Sequence, residues 1–205
     1  MIVSVVNQKG GVGKTTLAVN LAHCRSLMNE RVLVADVDPQ GSILQWQSIT
    51  DSSPFDVVHL TGKMTRKRLL AQHRGYDLMM IDTPPALGRE TLTVLGCSDL
   101  AVVPIGPSPL DIWSSRETVG LIEKVQLQGH ILDARVVIYR KITRTRIGGE
   151  AREALEAYHI PVCGAEVSQR IAYVESMLAG MTVLTYAPRS PAAEEIRALC
   201  KELLP

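Results

Sequence analysis

Residues 9–16 read Lys9-Gly10-Gly11-Val12-Gly13-Lys14-Thr15-Thr16, directly after the apolar run Ile2-Val3-Ser4-Val5-Val6. A strand that feeds a glycine-rich turn, which then opens a helix, is a phosphate cradle. Glycines let successive backbone N–H groups curl around an anion, and the helix N-terminus adds the positive end of its dipole. At this spacing Lys14 reaches the β- and γ-phosphates of a nucleotide, and the Thr15 hydroxyl is placed to hold Mg²⁺. The general pattern asks for glycine where this chain has Gln8, and the loop instead carries a second lysine, Lys9, at the start of the turn.

Two more apolar runs end in acids: Val34-Ala35-Asp36-Val37-Asp38 and Leu78-Met79-Met80-Ile81-Asp82. Taken singly, such an acid reads equally well as a helix cap or a turn residue. Beside a phosphate loop both readings tip toward function. Asp82 takes the place of the magnesium-side carboxylate, and Asp38 that of the residue orienting the attacking water. Phosphoryl transfer asks for little beyond positioning and charge compensation. The five histidines, His23, His59, His73, His130 and His159, are scattered over different segments and read as structural or exposed.

Strand-like and helix-like segments alternate along the chain and must position these groups. Strands are predicted at 2–7, 31–36, 56–60, 78–82, 100–105, 135–139 and 161–166. Helices are predicted at 14–28, 65–73, 89–96, 110–128, 149–159, 170–180 and 191–204. Several strands are apolar on both faces, as in parallel sheets covered on either side. Ser190 and Pro191 mark the start of the last helix as N-cap and first helical residue. The expectation is one α/β domain over 1–205, a doubly wound and mostly parallel sheet flanked by helices, with ligands at the C-terminal strand ends.

Composition narrows the class. A 46% hydrophobic, 21% charged chain with net charge +1 is an ordinary globular sequence, so any polyanion binding must come from local clustering. The four cysteines lack a CxxC pair, which points to neither a disulfide framework nor a zinc site and suits a reducing cytoplasm. No signal peptide and no bilayer-length apolar run are read, and the acidic last helix is unlike a basic membrane anchor.

Together, the loop at 9–16, Asp36-Val-Asp-Pro-Gln-Gly41 and Ile81-Asp-Thr-Pro-Pro85 resemble the ParA/MinD family of deviant Walker A ATPases. Within that family the chain is similar to the small ParA-type (ParF-like) partition proteins. Pro104-Ile-Gly-Pro-Ser-Pro-Leu-Asp111, Arg140-Lys141, Arg170-Ile-Ala-Tyr-Val-Glu175 and Tyr186-Ala-Pro188 extend the likeness over nearly the whole chain. The resemblance implies an ATP- and Mg²⁺-dependent ATPase that forms a homodimer on ATP binding. Lys9 would reach the partner's phosphates and, with Lys14 and Asp38, serve catalysis. Gly10, Gly11, Val12, Gly13, Lys14, Thr15, Thr16, Asp82 and Arg140 would hold the nucleotide, with Thr15, Asp38 and Asp82 around the metal. Ser42 departs from the asparagine common after Pro-Gln-Gly, and the cysteine pattern of an iron–sulfur reductase is missing.

Two activities fit such a switch. The first partitions plasmid or chromosomal DNA, holding nonspecific DNA as the ATP dimer and answering to a centromere-binding partner, which implies a nucleoid-associated cytoplasmic protein. Positioning of a protein cargo, or a MinD-like membrane-surface switch, is the alternative, and the last helix argues against membrane. Two stretches, 135–146 and 63–74, hold five basic residues each without an acid. Either could be a plain solvated face. Arg144, Arg146 and Arg170 are the candidate DNA contacts.

Overall fold

The structure, a computed structural model, describes residues 1–142 and 147–205, with backbone alone at 147–150. Seven strands among them form one sheet: β1 (Ile2–Val5), β2 (Val32–Asp36), β3 (Asp56–His59), β4 (Leu78–Asp82), β5 (Leu100–Ile105), β6 (Asp133–Lys141) and β7 (Val167–Ser168). Their order is β3-β2-β4-β1-β5-β6-β7, and every pairing is parallel. The helices among the described residues are α1 (Lys14–Ser26), α2 (Ser42–Ser48), α3 (Arg66–His73), α4 (Arg89–Leu95), α5 (Pro109–Leu127), α6 (Ile147–Glu156), α7 (Ile171–Leu178), α8 (Val183–Tyr186) and α9 (Pro191–Leu203).

Both faces of the sheet are covered, which explains strands without polar alternation. Val3, Val5, Val34 and Met80 point to the face under α1, where Leu17 and Leu21 are fully buried and α9 contributes Ile196 and Leu199. Ile2, Leu33, Met79 and Ile81 point to the opposite face, against Leu69 of α3 and Val94 of α4. Farther along that face, Ala101, Val103 and Ile105 meet Ile112, Val119 and Ile122 of α5. The helix starts follow local chemistry. Ser108 caps α5 by accepting from the Asp111 N–H at 3.2 Å, and Ser190 caps α9 through the Ala193 N–H at 3.3 Å.

The seventh strand needs correction. Residues 161–166 make only an isolated bridge, Val136 to Val162, and pairing resumes at Val167–Ser168. The Glu202 carboxylate explains the gap, for it accepts from the Gly164 N–H at 2.7 Å and the Ala165 N–H at 2.8 Å. Those donors are satisfied by a side chain, so no ladder is required there. Two short helices, α2 and α8, lie outside the predicted set. α2 begins where a carboxylate seven residues back, Asp36, accepts from the Ile43 N–H at 2.9 Å. That cap comes from a strand and has no local signature.

Candidate functional site

The order β2-β4-β1 places three strand ends side by side. Asp82 lies in register with Val5 on one side and Asp36 on the other, so both acidic ends border the turn that follows β1. Gly11 and Gly13 take φ of 73° and 86°, conformations that favour glycine. A methyl carbon placed on Gly10 or Gly11 would meet nothing within 4 Å, so the loop's outer side is open.

Gln8, the departure from the general pattern, anchors the loop. Its N–H donates to Thr118 Oγ1 at 3.1 Å, and its side-chain amide donates to the Ser114 carbonyl, tying the turn to α5. The Lys9 N–H donates to Asn7 Oδ1 at 2.9 Å, and Asn7 in turn donates to the Pro104 carbonyl at 2.8 Å. The Lys9 ammonium points away from the cradle and pairs with Asp111 at 2.5 Å.

Lys14 curls back over the turn and donates to the Lys9 carbonyl at 3.1 Å. Burial lowers its pKa below the ordinary lysine value, against the pull of the Asp82 and Asp38 charges. Asp82 is 1% exposed, and burial pushes its carboxyl up to about 7. The Asp36 and Asp38 charges add to that rise, while the Thr15 hydroxyl and Lys14 oppose it. Thr15 Oγ1 donates to Asp82 Oδ2 at 2.6 Å, and the buried Oδ1 has no hydrogen-bond partner. An orphaned carboxylate oxygen beside a hydroxyl, at the root of a glycine loop, is a donor set that suits a hard, oxygen-seeking divalent cation. Thr15 and Asp82 therefore fit Mg²⁺.

Asp38 is half-buried on the far side of the cradle. Its own N–H is held by Asp36 Oδ1 at 3.0 Å, and its Oδ1 accepts from the Gln40 N–H at 3.0 Å. Gly10, Gly11, Gly13, Lys14, Thr15 and Asp38 border one cavity of about 700 Å³, while Asp82 lies behind Thr15 and Lys9 is not among the lining residues. Lys14, Thr15, Thr16 and Asp38 form its phosphate end, while Trp46, Ile171 and Val174 form an apolar end. Arg140 lines it too, as does Tyr139, a residue that sequence reasoning passed over. An aromatic side chain at the end of a strand beside Arg140-Lys141 was the available signal.

Residues 3–183 match the family described as the CobQ/CobB/MinD/ParA nucleotide binding domain. The chain belongs to that family. It is a nucleotide-binding domain of the ParA/MinD ATPase type. It is 37% identical over 212 residues to the maintenance of carboxysome distribution protein A of Gloeobacter kilaueensis, covering 98% of this chain and 93% of the relative. It is 27% identical over 246 residues to the sporulation initiation inhibitor protein Soj of Bacillus subtilis, covering 98% and 97%. In fold it is similar to the septum site-determining protein MinD of Pyrococcus horikoshii complexed with Mg-ADP, at a TM-score of 0.75 and 20% identity, covering 99% of this chain and 95% of that one.

The basic residues of this ParA/MinD-family chain are less free than their sequence suggests. Arg135 pairs with Asp133, Lys141 with Glu166, and Arg152 with the same Glu166 at 2.8 Å. In the 63–74 stretch, Arg66 donates to the Gly96 carbonyl at 2.7 Å and Arg68 to that of Thr61 at 2.6 Å. Arg170 borders the cavity and is paired with Glu195 at 2.7 and 3.0 Å. Arg144 and Arg146 lie outside the described residues.

Proposed function

We propose that this ATPase is a self-associating positioning switch, with the domain over 1–205 acting as one unit. The observation that carries the reading is Lys9, a cation at the lip of the cradle that serves no group within it. In the ATP state the loop amides and Lys14 hold the phosphates, with Arg140 at the nucleotide's far end. Thr15, Asp38 and Asp82 would hold Mg²⁺, which would supply charge neutralisation at the phosphates. Asp38 orients the attacking water. Lys9 leaves Asp111 for the γ-phosphate bound by a second copy, and this charge-assisted contact exists only while that phosphate is present. Hydrolysis removes the reward for pairing, and the copies separate.

The ATP pair holds nonspecific DNA on the nucleoid, since pairing doubles every exposed cation and nonspecific binding draws on many phosphate contacts. A centromere-binding partner that stimulates hydrolysis then releases it, which moves a plasmid or chromosome. A second reading, in which the cargo is a protein assembly, is favoured by the 37% identity to a protein named for carboxysome distribution. Membrane attachment through α9 is disfavoured, because Ala192, Ile196, Leu199 and Leu203 are buried in the core.

The test is DNA retention at moderate salt without nucleotide, with ADP and with a slowly hydrolysed ATP analogue, beside a liposome control. Retention on DNA with the analogue alone, lost in Lys9→Ala, is expected. DNA binding independent of nucleotide, or liposome retention in its place, would overturn the reading.

A further inference from the structure

β6 ends irregularly over the phosphate loop. Its register with β7 shifts between Tyr139 and Lys141, and Arg140 between them takes a φ of 61°. Non-glycine residues seldom occupy that region, and they persist there only when their surroundings hold them. The irregularity breaks the strand's alternation, so that two successive side chains, Tyr139 and Arg140, both border the cavity. Arg140 is exposed, whereas Tyr139 is only 5% exposed.

The Tyr139 ring occupies the space a side chain at position 13 would need. A methyl carbon placed on Gly13 would lie 2.1 Å from Tyr139 Cε1 and 2.7 Å from its hydroxyl oxygen. The Thr16 hydroxyl also acts on that phenol, holding its pKa down against the rise that burial causes. Gly13 is the N-cap of α1, and no side chain caps that helix end. The amides opening α1, which must face an anion, cannot carry a conventional cap without blocking the ligand. Their bracing has to come from another element, and Tyr139, packed beside Gly13, supplies it.

We propose that Tyr139 is a positioning residue of the nucleotide cradle. Its ring packs into the space beside the Gly13 turn, with its hydroxyl toward Thr16, so the loop amides are aimed before the nucleotide arrives. It touches no reacting atom. Its contribution is preorganisation, which raises affinity by removing an ordering cost from the binding step.

The test uses the full chain as wild type, Tyr139→Phe and Tyr139→Leu. Four quantities are read: the dissociation constant of a fluorescent ADP analogue, KM and kcat for ATP with Mg²⁺, and the melting midpoint without nucleotide. Phe keeps the ring and loses the hydroxyl, so the dissociation constant and KM should rise about fivefold while kcat stays within about twofold. Leu loses both supports and should weaken binding by on the order of thirtyfold, still with the larger effect on KM. The nucleotide-free midpoint of Tyr139→Phe should stay within about 4 °C of wild type, since one hydroxyl is lost. Affinities within twofold of wild type in both variants, or losses that merely follow the midpoints, would overturn the proposal. Should Leu prevent folding, the Phe comparison decides alone. A wild-type chain that fails to bind ADP would refute nucleotide binding itself, a different result from an unaffected Tyr139→Phe.

Discussion

Replacing Asp82 by Asn should change how the nucleotide-free protein's stability depends on pH, with a sign set by burial. Asp82 sits at about 7 in the fold against an ordinary value of 3.8. The folded state therefore binds a proton more tightly than the unfolded chain. Linkage then requires stability to fall as pH rises from the unfolded value through the folded one. The full shift corresponds to about 4 kcal/mol, and roughly 3 kcal/mol of it is lost between pH 5 and pH 8. In Asp82→Asn the side-chain oxygen still accepts from Thr15 and nothing titrates. The assay is urea unfolding of both proteins at pH 5 and pH 8, read as a difference between them. Subtraction also removes His23, which burial holds below its ordinary value and which favours the folded state in the opposite pH direction. Wild type should lose roughly 3 kcal/mol relative to Asp82→Asn over that interval, or about 6–12 °C in melting temperature for a chain of this size. A difference that stays constant from pH 5 to pH 8 would refute the buried, proton-holding carboxylate.

Other outcomes follow from single contacts. Lys14→Ala should abolish ATP binding, and Asp38→Ala should bind ATP and accumulate as a dimer; normal turnover in both, measured by phosphate release, contradicts the assigned roles. At Gly180, φ is 64° and a methyl carbon would lie 2.3 Å from the Ile49 carbonyl oxygen. Gly180→Ala should cost about 2 kcal/mol or more by denaturant titration, because both backbone strain and a backbone clash arise. Glu202→Ala hands the exposed Gly164 and Ala165 N–H groups over to water and should cost about 0.5–1.5 kcal/mol, with faster hydrogen exchange at those two amides.

The phosphate end of the site was legible because its chemistry is local. A glycine turn must sit between its strand and its helix, and Asp82 closes a run of four apolar residues. The parallel sheet was legible for a similar reason, since strands buried on both faces read as unbroken apolar runs. What escaped reading depends on partners distant in sequence. The cap on α2 comes from Asp36, and the missing ladder at 164–165 is replaced by Glu202. The 135–146 stretch looks unopposed along the chain, because Glu166, which pairs with Lys141, lies 25 residues downstream. Tyr139 belongs to the same class. Its role is set by what faces it across β6, and only Gly13's lack of a side chain hints at the match.

The attachment of Gln8 to α5 has a mechanical side. α5 runs for 19 residues, about 28 Å at 1.5 Å per residue, and its first turns carry Asp111 and Ser114, both bonded to the phosphate loop. A helix gripped at one end by a ligand-sensing turn is a lever. A tilt of about 5° at the cradle would carry the far end, where Leu127 is 88% exposed, through about 2.5 Å. Any displacement of that turn on binding phosphate would therefore reach the protein surface at Leu127, remote from the cavity.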